Sequence, residues 1–213
     1  IITMDHDRNI ISNGCIVIDK DKITAVGGGE LTSCYEASRV VDAKGKFVFP
    51  GMISTHSHLF QTMLKGLGRD KLLFDWLDSS VRTALHRFDG EMCYYAALTG
   101  CMEAIQSGTT TLLDYMYCHT SPGLSDYVTQ AMEDIGIRGI YGRGFTNTAN
   151  FPPEFKVAHH DTEQDMFDDV RRLYKKYEGH SRMSVALAPG IIWDNTDDGY
   201  REMRKMADEM HIP

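Results

Sequence analysis

Long hydrophobic runs and clusters of positive charge are both scarce in this 213-residue sequence. The longest apolar runs are only a few residues, far short of the roughly 20 residues that a membrane-spanning helix needs. Lysine and arginine number 22 against 30 aspartate and glutamate residues, which gives a net charge of −8. Because no basic stretch is available to neutralise phosphates, neither nucleic acid nor an anionic membrane is expected as a partner.

Paired cysteines are also missing. The five cysteines, at positions 15, 34, 93, 101 and 118, are odd in number and include no Cys-x-x-Cys pair. Such a set favours free thiols in a reducing compartment over a disulfide framework. We therefore expect a soluble, cytoplasmic protein, and its 42% of apolar residues suffices for one good hydrophobic core.

The first 49 residues have the alternation and the turns of short β-strands. In CIVIDKDKITAVGGG (15–29), apolar residues alternate on both sides of a turn at 19–22, which predicts a hairpin. RVVDAKGKFVFPG (39–51) repeats the pattern around a turn at 44–46. We predict a small all-β unit over residues 1–49.

Strands and helices alternate from residue 50 to residue 213. β-Branched and apolar stretches predict strands near 50–56, 109–115, 137–145 and 183–189. Amphipathic stretches predict helices near 89–108, 125–136, 162–179 and 197–210, with Ser125 and Thr162 as N-caps. This order predicts four βα units and a parallel sheet. An open doubly wound sheet uses four or five such units, whereas a closed (β/α)8 barrel needs eight. No Gly-x-Gly-x-x-Gly motif follows the first strand, which weakens the case for dinucleotide binding.

Two histidines stand one residue apart at the end of an apolar run, in FPGMISTHSH (49–58). On a strand, residues i and i+2 point to the same side, so His56 and His58 direct both imidazoles towards one point. Residues 47–53 are predicted to be buried, which places the pair at the carboxyl end of an internal strand, where parallel α/β folds bind ligands. Two neutral imidazoles there suit zinc or another divalent transition metal. The alternative is a pair of hydrogen-bonded polar residues at a strand terminus.

The segment around the pair, PGMISTHSHLFQTMLKGLGRDKLLFDWL (50–77), resembles the first-strand signature of the amidohydrolase superfamily. The similarity is to the branch of triazine hydrolases and nucleobase deaminases, which includes S-adenosylhomocysteine deaminase, 8-oxoguanine deaminase and atrazine-type chlorohydrolases. Three further segments resemble the second, third and fourth barrel strands of that branch: SGTTTLLDY (107–115), GIRGIYGRGF (136–145) and VALAPG (185–190). The resemblance spans the whole chain.

The resemblance implies an α/β fold, a TIM-type (β/α)8 barrel beside a small β-sandwich. Residues 1–49 would belong to the sandwich, and residues 50–213 would form the first half of the barrel with about four βα units. The family's remaining parts are a histidine ligand on strand five, a nearby glutamate, a histidine on strand six and an aspartate on strand eight. We therefore expect the chain to be the amino-terminal half of a longer enzyme, with the catalytic acid or base beyond Pro213. Family members are commonly dimers or larger, which implies a homo-oligomer.

The resemblance also implies an aminohydrolase in which His56 and His58 hold one divalent metal ion, zinc or alternatively iron. A metal lowers the pKa of bound water to roughly 7, and the resulting hydroxide attacks an electron-poor carbon of a small heterocyclic substrate and releases ammonia. Binuclear members carry a carboxylated lysine at the end of strand four, where this chain has Ala188-Pro189-Gly190, and a single ion is therefore favoured. S-adenosylhomocysteine deaminases follow Ala-Pro with a substrate-contacting histidine. Gly190-Ile191-Ile192-Trp193 lacks it, so the triazine and 8-oxoguanine enzymes are closer on this point.

Four further residues are candidates for contact with the substrate. Gln61 lies three residues past His58, where its amide can hydrogen-bond a heterocycle. Trp76 can stack on a planar ring, or alternatively pack the long loop against the core. Arg143, late in the third strand, offers a cation to a ring oxygen or carboxylate, with a structural salt bridge as the alternative. His119 follows the second strand and would face the pocket.

Other functions stay open at this point. The same attack can expel chloride or an alkylamine instead of ammonia, as in triazine-type hydrolases. A non-catalytic relative that keeps the fold as an assembly module is the alternative of another class, and the retention of both histidines speaks against it. A structural zinc site would need four protein ligands that leave no open coordination position, and no cysteine lies close in sequence to the pair.

Overall fold

A two-stranded hairpin is the main regular element of the first 51 residues. In the computed structural model, which describes residues 1–151, 153–155, 157, 159–192 and 194–213, strand β1 (Cys15–Asp19) pairs antiparallel with β2 (Lys22–Gly27). The turn between them puts Lys20 in the left-handed region, at φ 55°. A 3-10 helix (Gly29–Ser33) follows, and an isolated bridge joins Ile2 to Ile10. The first predicted hairpin is confirmed.

The second predicted hairpin, over 39–51, is wrong. A turn does form at 44–45, but the residues on either side of it belong to no strand. Their large side chains are exposed, with Val40 at 83% and Phe47 at 79% of full accessibility. The reason is physical: a strand pair of this composition needs an opposing apolar layer, and the described residues of this unit provide none.

Four parallel strands form the sheet of the second unit, which extends from Met52 to Pro213. They are β3 (Met52–Ser57), β4 (Thr109–Met116), β5 (Arg138–Gly144) and β6 (Met183–Ala188). Their order in the sheet is β3-β4-β5-β6, so each strand pairs with the next along the chain. Such an order lacks the reversal that defines a doubly wound sheet.

Helices separate these strands, as the sequence predicted. They are α1 (Leu73–Ser79), α2 (Val81–Ala84), α3 (Gly90–Gln106), α4 (Leu124–Ile135), α5 (Glu163–Tyr177) and α6 (Asp197–Met210). Short 3-10 helices cover Leu59–Leu64, Leu85–Arg87 and Thr148–Asn150. In the part of the chain that is described, no helix combines the length and the apolar character needed to cross a bilayer.

The N-caps of α4 and α5 show where local sequence decides and where it does not. Thr162 caps α5 as predicted, in a capping box with Asp165. Ser125 does not cap α4: the helix begins at Leu124, and Gly123 is the N-cap at φ 81°. A glycine reaches this left-handed conformation without strain, so the chain turns into the helix before Ser125, whose side chain is buried instead.

The two faces of the sheet differ in their surroundings. On β4, Leu112 and Met116 are buried in the core with apolar side chains of the helices, among them Val128 of α4 and Val170 of α5. The alternate side chains, such as that of Tyr115, are only half-buried and lie on the face that carries the histidine pair. This alternation is the period of two expected of a strand.

The prediction that 47–53 is a buried stretch of an internal strand is wrong. Within the described residues, β3 has a hydrogen-bonded neighbour on one side only, namely β4. The apolar side chains before the histidines are therefore exposed, with Ile53 at 69% of full accessibility. β3 is an edge strand of this sheet, although its carboxyl end still carries the pair.

Candidate metal centre

His56 and His58 lie together at the carboxyl end of β3. His56 belongs to the strand, and His58 follows it directly as the residue before the 3-10 helix Leu59–Leu64. Their ring centroids are 4.7 Å apart and the rings are nearly perpendicular, at 82°. His56 is exposed and His58 is half-buried. The extended backbone thus places two imidazoles side by side on one face, as the i, i+2 spacing predicts.

The tautomer of His58 follows from its hydrogen bond to the neighbouring strand. Its Nδ1 lies 2.7 Å from the backbone carbonyl oxygen of Tyr115. A carbonyl only accepts, so Nδ1 carries the proton and Nε2 keeps its lone pair. Burial lowers the pKa of His58, which favours the neutral ring. A histidine that donates one nitrogen to a carbonyl and offers the other as a lone pair has the usual form of a metal ligand.

Strand β4 also holds the backbone on both sides of His58. The Ser57 hydroxyl donates to the carbonyl of Leu113 at 2.8 Å. The Leu59 amide donates to Oδ1 of Asp114 at 2.7 Å. Asp114 thus caps the turn that follows His58. Residues 57, 58 and 59 are therefore each tied to β4 by a separate hydrogen bond.

Asp114 is the most deeply buried carboxyl group near the pair. Its side chain is fully inaccessible, and its Oδ2 has no hydrogen-bond partner among the described residues. Burial raises the pKa of Asp114 to about 7, although the hydrogen bond from Leu59 opposes the shift. Burying a carboxyl group with one unpaired oxygen is energetically unfavourable. Asp114 is explained by its hydrogen bond to Leu59, which holds the turn that follows His58 in place.

Gln61 is linked to the histidine pair through Tyr117. Its Nε2 donates to the hydroxyl of Tyr117 at 2.6 Å. The Tyr117 ring stands edge-on to His58, with centroids 5.3 Å apart. Burial raises the pKa of Tyr117, so its hydroxyl keeps a proton to donate. Gln61 therefore reaches the neighbourhood of the histidines through a tyrosine.

Tyr115 and Tyr117 are the neighbours that the sequence reasoning missed. The Tyr115 ring centroid lies 5.2 Å from that of His58 and 6.4 Å from that of His56. The signal was available: residues 115 and 117 share a face at the end of a strand by the same period of two that identified the histidines. What the sequence did not state was which face of β4 meets the pair.

Trp76 has a packing role in this structure. It lies on α1, half-buried and packed against the core. A side chain at Gly68 would overlap its ring, so the indole covers the loop that precedes the helix. These contacts agree with the alternative considered for Trp76, that it holds the long loop down.

Arg143 forms a buried ion pair, and this corrects its expected contact with the substrate. Its guanidinium donates to both oxygens of Asp161, at 2.8 and 2.9 Å, and its Nε donates to Asp169 at 2.9 Å. It also donates to the carbonyl of Gly144. The side chain points towards α5, which carries Asp169, and most of its donors are already used. The salt bridge considered as the alternative is the role observed.

His119 belongs to the surroundings of Arg143. It is buried and lines a cavity together with Arg143, His159 and Asp161. Burial lowers the pKa of His119 well below its usual value, and the charge of Arg143 acts in the same direction, so the ring is neutral. Its Nε2 lies 3.3 Å from the carbonyl of Met116. The pocket that His119 faces is thus the one that contains the ion pair.

A second group of possible metal ligands lies in that cavity. Ligand atoms of His159, Asp161 and Asp165 lie within 4.8 Å of one another. Both oxygens of Asp161 already accept from Arg143, and Oδ2 of Asp165 accepts from Thr162. A cation there would also meet the positive charge of the arginine. This group is better explained as a charge network that supports the start of α5.

Comparison with known proteins decides the family. The sequence model of the amidohydrolase family matches residues 47–213. The chain belongs to the amidohydrolase family. Two of its relatives are named 5-methylthioadenosine/S-adenosylhomocysteine deaminase. The one from Nitratidesulfovibrio vulgaris (strain DP4) is 30% identical over 214 residues, which cover 100% of this chain and 46% of the relative. The one from Bacillus cereus (strain AH820) is 29% identical over 211 residues, 98% of this chain and 46% of the relative.

Solved structures agree on the fold of this amidohydrolase chain. Guanine deaminase from E. coli superimposes with a TM-score of 0.77 at 22% identity, over 92% of this chain and 44% of that one. A triazine hydrolase variant superimposes with a TM-score of 0.80 at 20% identity, over 99% of this chain and 49% of that one. The family resemblance read from the sequence is confirmed, and the chain spans about half the length of the proteins it matches.

The ion pair of Arg143 gives a first prediction. In the full-length protein, Arg143→Met should lower the free energy of unfolding by about 3 kcal/mol or more, because it leaves Asp161 buried without its partner. Zinc affinity should stay within about threefold of the wild type, because the pair lies on the helix side of β5. Chemical denaturation and zinc titration measure the two effects.

Arg138→Met is the matched control, since Arg138 lies on the same strand and is exposed. It should change stability by less than about 0.5 kcal/mol. An Arg143→Met protein as stable as the wild type, but unable to bind its substrate, would restore the substrate-contact hypothesis.

The burial of Asp114 gives a second prediction. Its pKa in the folded state, about 7, lies above the usual 3.8, so the folded protein binds a proton that the unfolded chain releases. Stability therefore falls as pH rises from about 4 to 7. Asp114→Asn removes this titration. The free energy of unfolding of the variant minus that of the wild type should therefore be about 2 to 3 kcal/mol more favourable to the variant at pH 8 than at pH 5.

Denaturation at the two pH values measures this difference. Asp70→Asn, at an exposed position whose φ of 62° suits asparagine, is the control and should show no such trend. Parallel pH profiles for Asp114→Asn and the wild type would show that Asp114 is ionised throughout.

Proposed function

We propose that this chain carries the metal-binding part of a hydrolytic deaminase that acts on a small nitrogen heterocycle and releases ammonia. The observation that carries the proposal is the His56–His58 pair, with the free lone pair of His58 Nε2 at the carboxyl end of a parallel strand. The names of the relatives support the reaction, since both are called deaminases of adenosine-derived compounds. Guanine deaminase among the structural neighbours supports the heterocyclic substrate.

The proposed architecture is half of a (β/α)8 barrel, formed by residues 50–213, and part of a β-sandwich, formed by residues 1–49. Two features support the half-barrel. The strands pair in sequential order, and β3 keeps one edge free with exposed apolar side chains. A free edge of this kind is normally paired or covered in a native protein, and closure of a barrel would pair it.

The proposed cofactor is one divalent metal ion held by His56 and His58. The residues fit such an ion: both donors are imidazoles, the rings are adjacent, and the proton of His58 is on the nitrogen that faces a carbonyl. When bound, a zinc or iron ion lowers the pKa of water enough to supply a nucleophile at neutral pH. Zinc is favoured over iron because two structural neighbours, an adenosine deaminase from Xanthomonas campestris and an atrazine chlorohydrolase from Arthrobacter aurescens TC1, are described as zinc complexes.

The residues around the pair divide into orienting and substrate-facing groups. The Tyr115 carbonyl and the Asp114 carboxyl group orient His58, one through the ring and the other through the following amide. Gln61 donates its amide nitrogen to Tyr117, so it would offer its amide oxygen to the substrate, and the Tyr117 hydroxyl would offer a proton. Together these groups offer an acceptor and a donor to a polar heterocycle.

A triazine-type hydrolase is the second candidate function. One triazine hydrolase variant superimposes on 99% of this chain, and Gly190 follows Ala188-Pro189 without the histidine expected of S-adenosylhomocysteine deaminases. In that case the same site would expel chloride or an alkylamine. Product analysis separates the two, because only deamination of the ring releases ammonia.

The proposal is tested by removing the ligands one at a time. In the full-length protein, His56→Ala and His58→Ala should each lower metal affinity at least about 100-fold and abolish ammonia release, because two ligands of one ion act together. Elemental analysis should give one metal ion per chain for the wild type and far less for either variant.

His86→Ala is the control, because His86 is an exposed histidine of the same unit, and it should keep both metal and activity. A full complement of metal in either His56→Ala or His58→Ala, or unchanged turnover, would contradict the assignment. A wild-type protein without metal or turnover would favour the assembly module.

A further inference from the structure

Tyr115 occupies a central place beside the histidine pair. It is the residue before the end of β4, and its ring lies on the face that carries His56 and His58, at centroid distances of 6.4 and 5.2 Å. The ring is also 5.3 Å from that of Tyr117. Its carbonyl orients His58, and its side chain forms no hydrogen bond with the part of the chain that the structure describes.

Two glycines make room for the Tyr115 side chain. A Cβ at Gly144, the last residue of β5, would overlap the ring, and it would also lie 2.8 Å from the carbonyl oxygen of Met116. A Cβ at Gly190, two residues past the end of β6, would overlap the Tyr115 hydroxyl. The ring therefore crosses the carboxyl end of β5, and the hydroxyl reaches the end of β6. One side chain fills the space over two neighbouring strands.

The Tyr115 side chain lies next to the place where a substrate of the proposed reaction would bind. Parallel α/β folds bind ligands at the carboxyl ends of their strands, and a metal held by His56 and His58 would fix the reacting carbon close to Tyr115. An aromatic ring at this distance offers a flat surface to a planar heterocycle. The hydroxyl over Gly190 would narrow the room for a substituent on that heterocycle.

We propose that Tyr115 is the specificity-determining residue of this site, and that by its volume it selects free heterocyclic bases over their nucleosides. The inference rests on the proposed function and goes beyond it in naming the substrate class. It sets this chain apart from the two relatives, which are named for adenosine-derived substrates and share only the reaction. A ribosyl group is bulky and non-planar. The wall formed by Tyr115 and Tyr117 would deny it space.

The experiment compares each base with its own nucleoside. Ammonia release by the full-length, zinc-loaded protein is measured for guanine and guanosine, adenine and adenosine, and cytosine and cytidine. The wild type should prefer at least one base over its nucleoside by about 100-fold in kcat/KM. Along the series Tyr115→Phe, Tyr115→Leu and Tyr115→Ala this preference should fall stepwise, and alanine should reduce it at least about tenfold.

Two controls separate selectivity from disturbance of the metal centre. Zinc affinity should stay within about threefold of the wild type in all three variants, because the carbonyl that orients His58 belongs to the backbone and remains. Tyr95→Ala, at an exposed tyrosine of α3, should change neither zinc affinity nor the preference.

Several outcomes would overturn the inference. They are a wild type that prefers the nucleosides and a preference that is unchanged in Tyr115→Ala. Zinc affinity that falls more than about tenfold in Tyr115→Ala would make the ring a support of the metal site instead. No ammonia from any of the six compounds, with zinc still bound, would overturn both the inference and the deaminase proposal but not the metal centre.

Discussion

The hydrogen bond from His58 to the Tyr115 carbonyl is the interaction on which the candidate site depends. It crosses from β3 to β4 at 2.7 Å, and it decides which nitrogen of the imidazole is free. Without it the ring could rotate or exchange tautomers, and the i, i+2 spacing would bring the two histidines together without directing their lone pairs. The hydrogen bonds of Ser57 and Leu59 to the same strand hold the backbone on either side.

The strand β5 divides the chemistry of the unit into two separate regions. Arg143 points towards α5 and is neutralised by Asp161 and Asp169. Its charge therefore helps to hold α5 against the sheet. The next residue, Gly144, leaves the other face free for the Tyr115 ring. The charge network around Arg143 and the histidine pair therefore lie on opposite faces of the sheet.

Local patterns in the sequence were sufficient for the elements that depend on local physics. The alternation of strands and helices, the Thr162 cap and the first hairpin all follow from period, capping and turn chemistry within a few residues. The juxtaposition of His56 and His58 follows from the pleat of a single strand in the same way. The resemblance to the amidohydrolase family added the expectation of further ligands and a catalytic glutamate, which local patterns in this chain do not indicate.

Partners that are distant in the sequence were what local reasoning could not supply. The pairing of Arg143 with Asp161 joins residues 18 positions apart in the sequence, and no local pattern predicts it. The exposed strand β3 and the missing second hairpin have a common cause, because each prediction assumed a layer or a neighbouring strand that the described residues do not provide. Tyr115 was overlooked because the sequence does not show which face of β4 meets the histidine pair, and its contacts with the positions of Gly144 and Gly190 join three strands.

The central claim is that one ion is held jointly by His56 and His58, with His58 contributing Nε2. Anomalous diffraction at the zinc edge, from crystals of the full-length zinc-loaded protein, tests it most directly. The account predicts a single strong peak about 2.0 to 2.1 Å from His58 Nε2 and from one nitrogen of His56. A peak at His159, Asp161 and Asp165 instead, or an ion bound through His58 Nδ1, would contradict it.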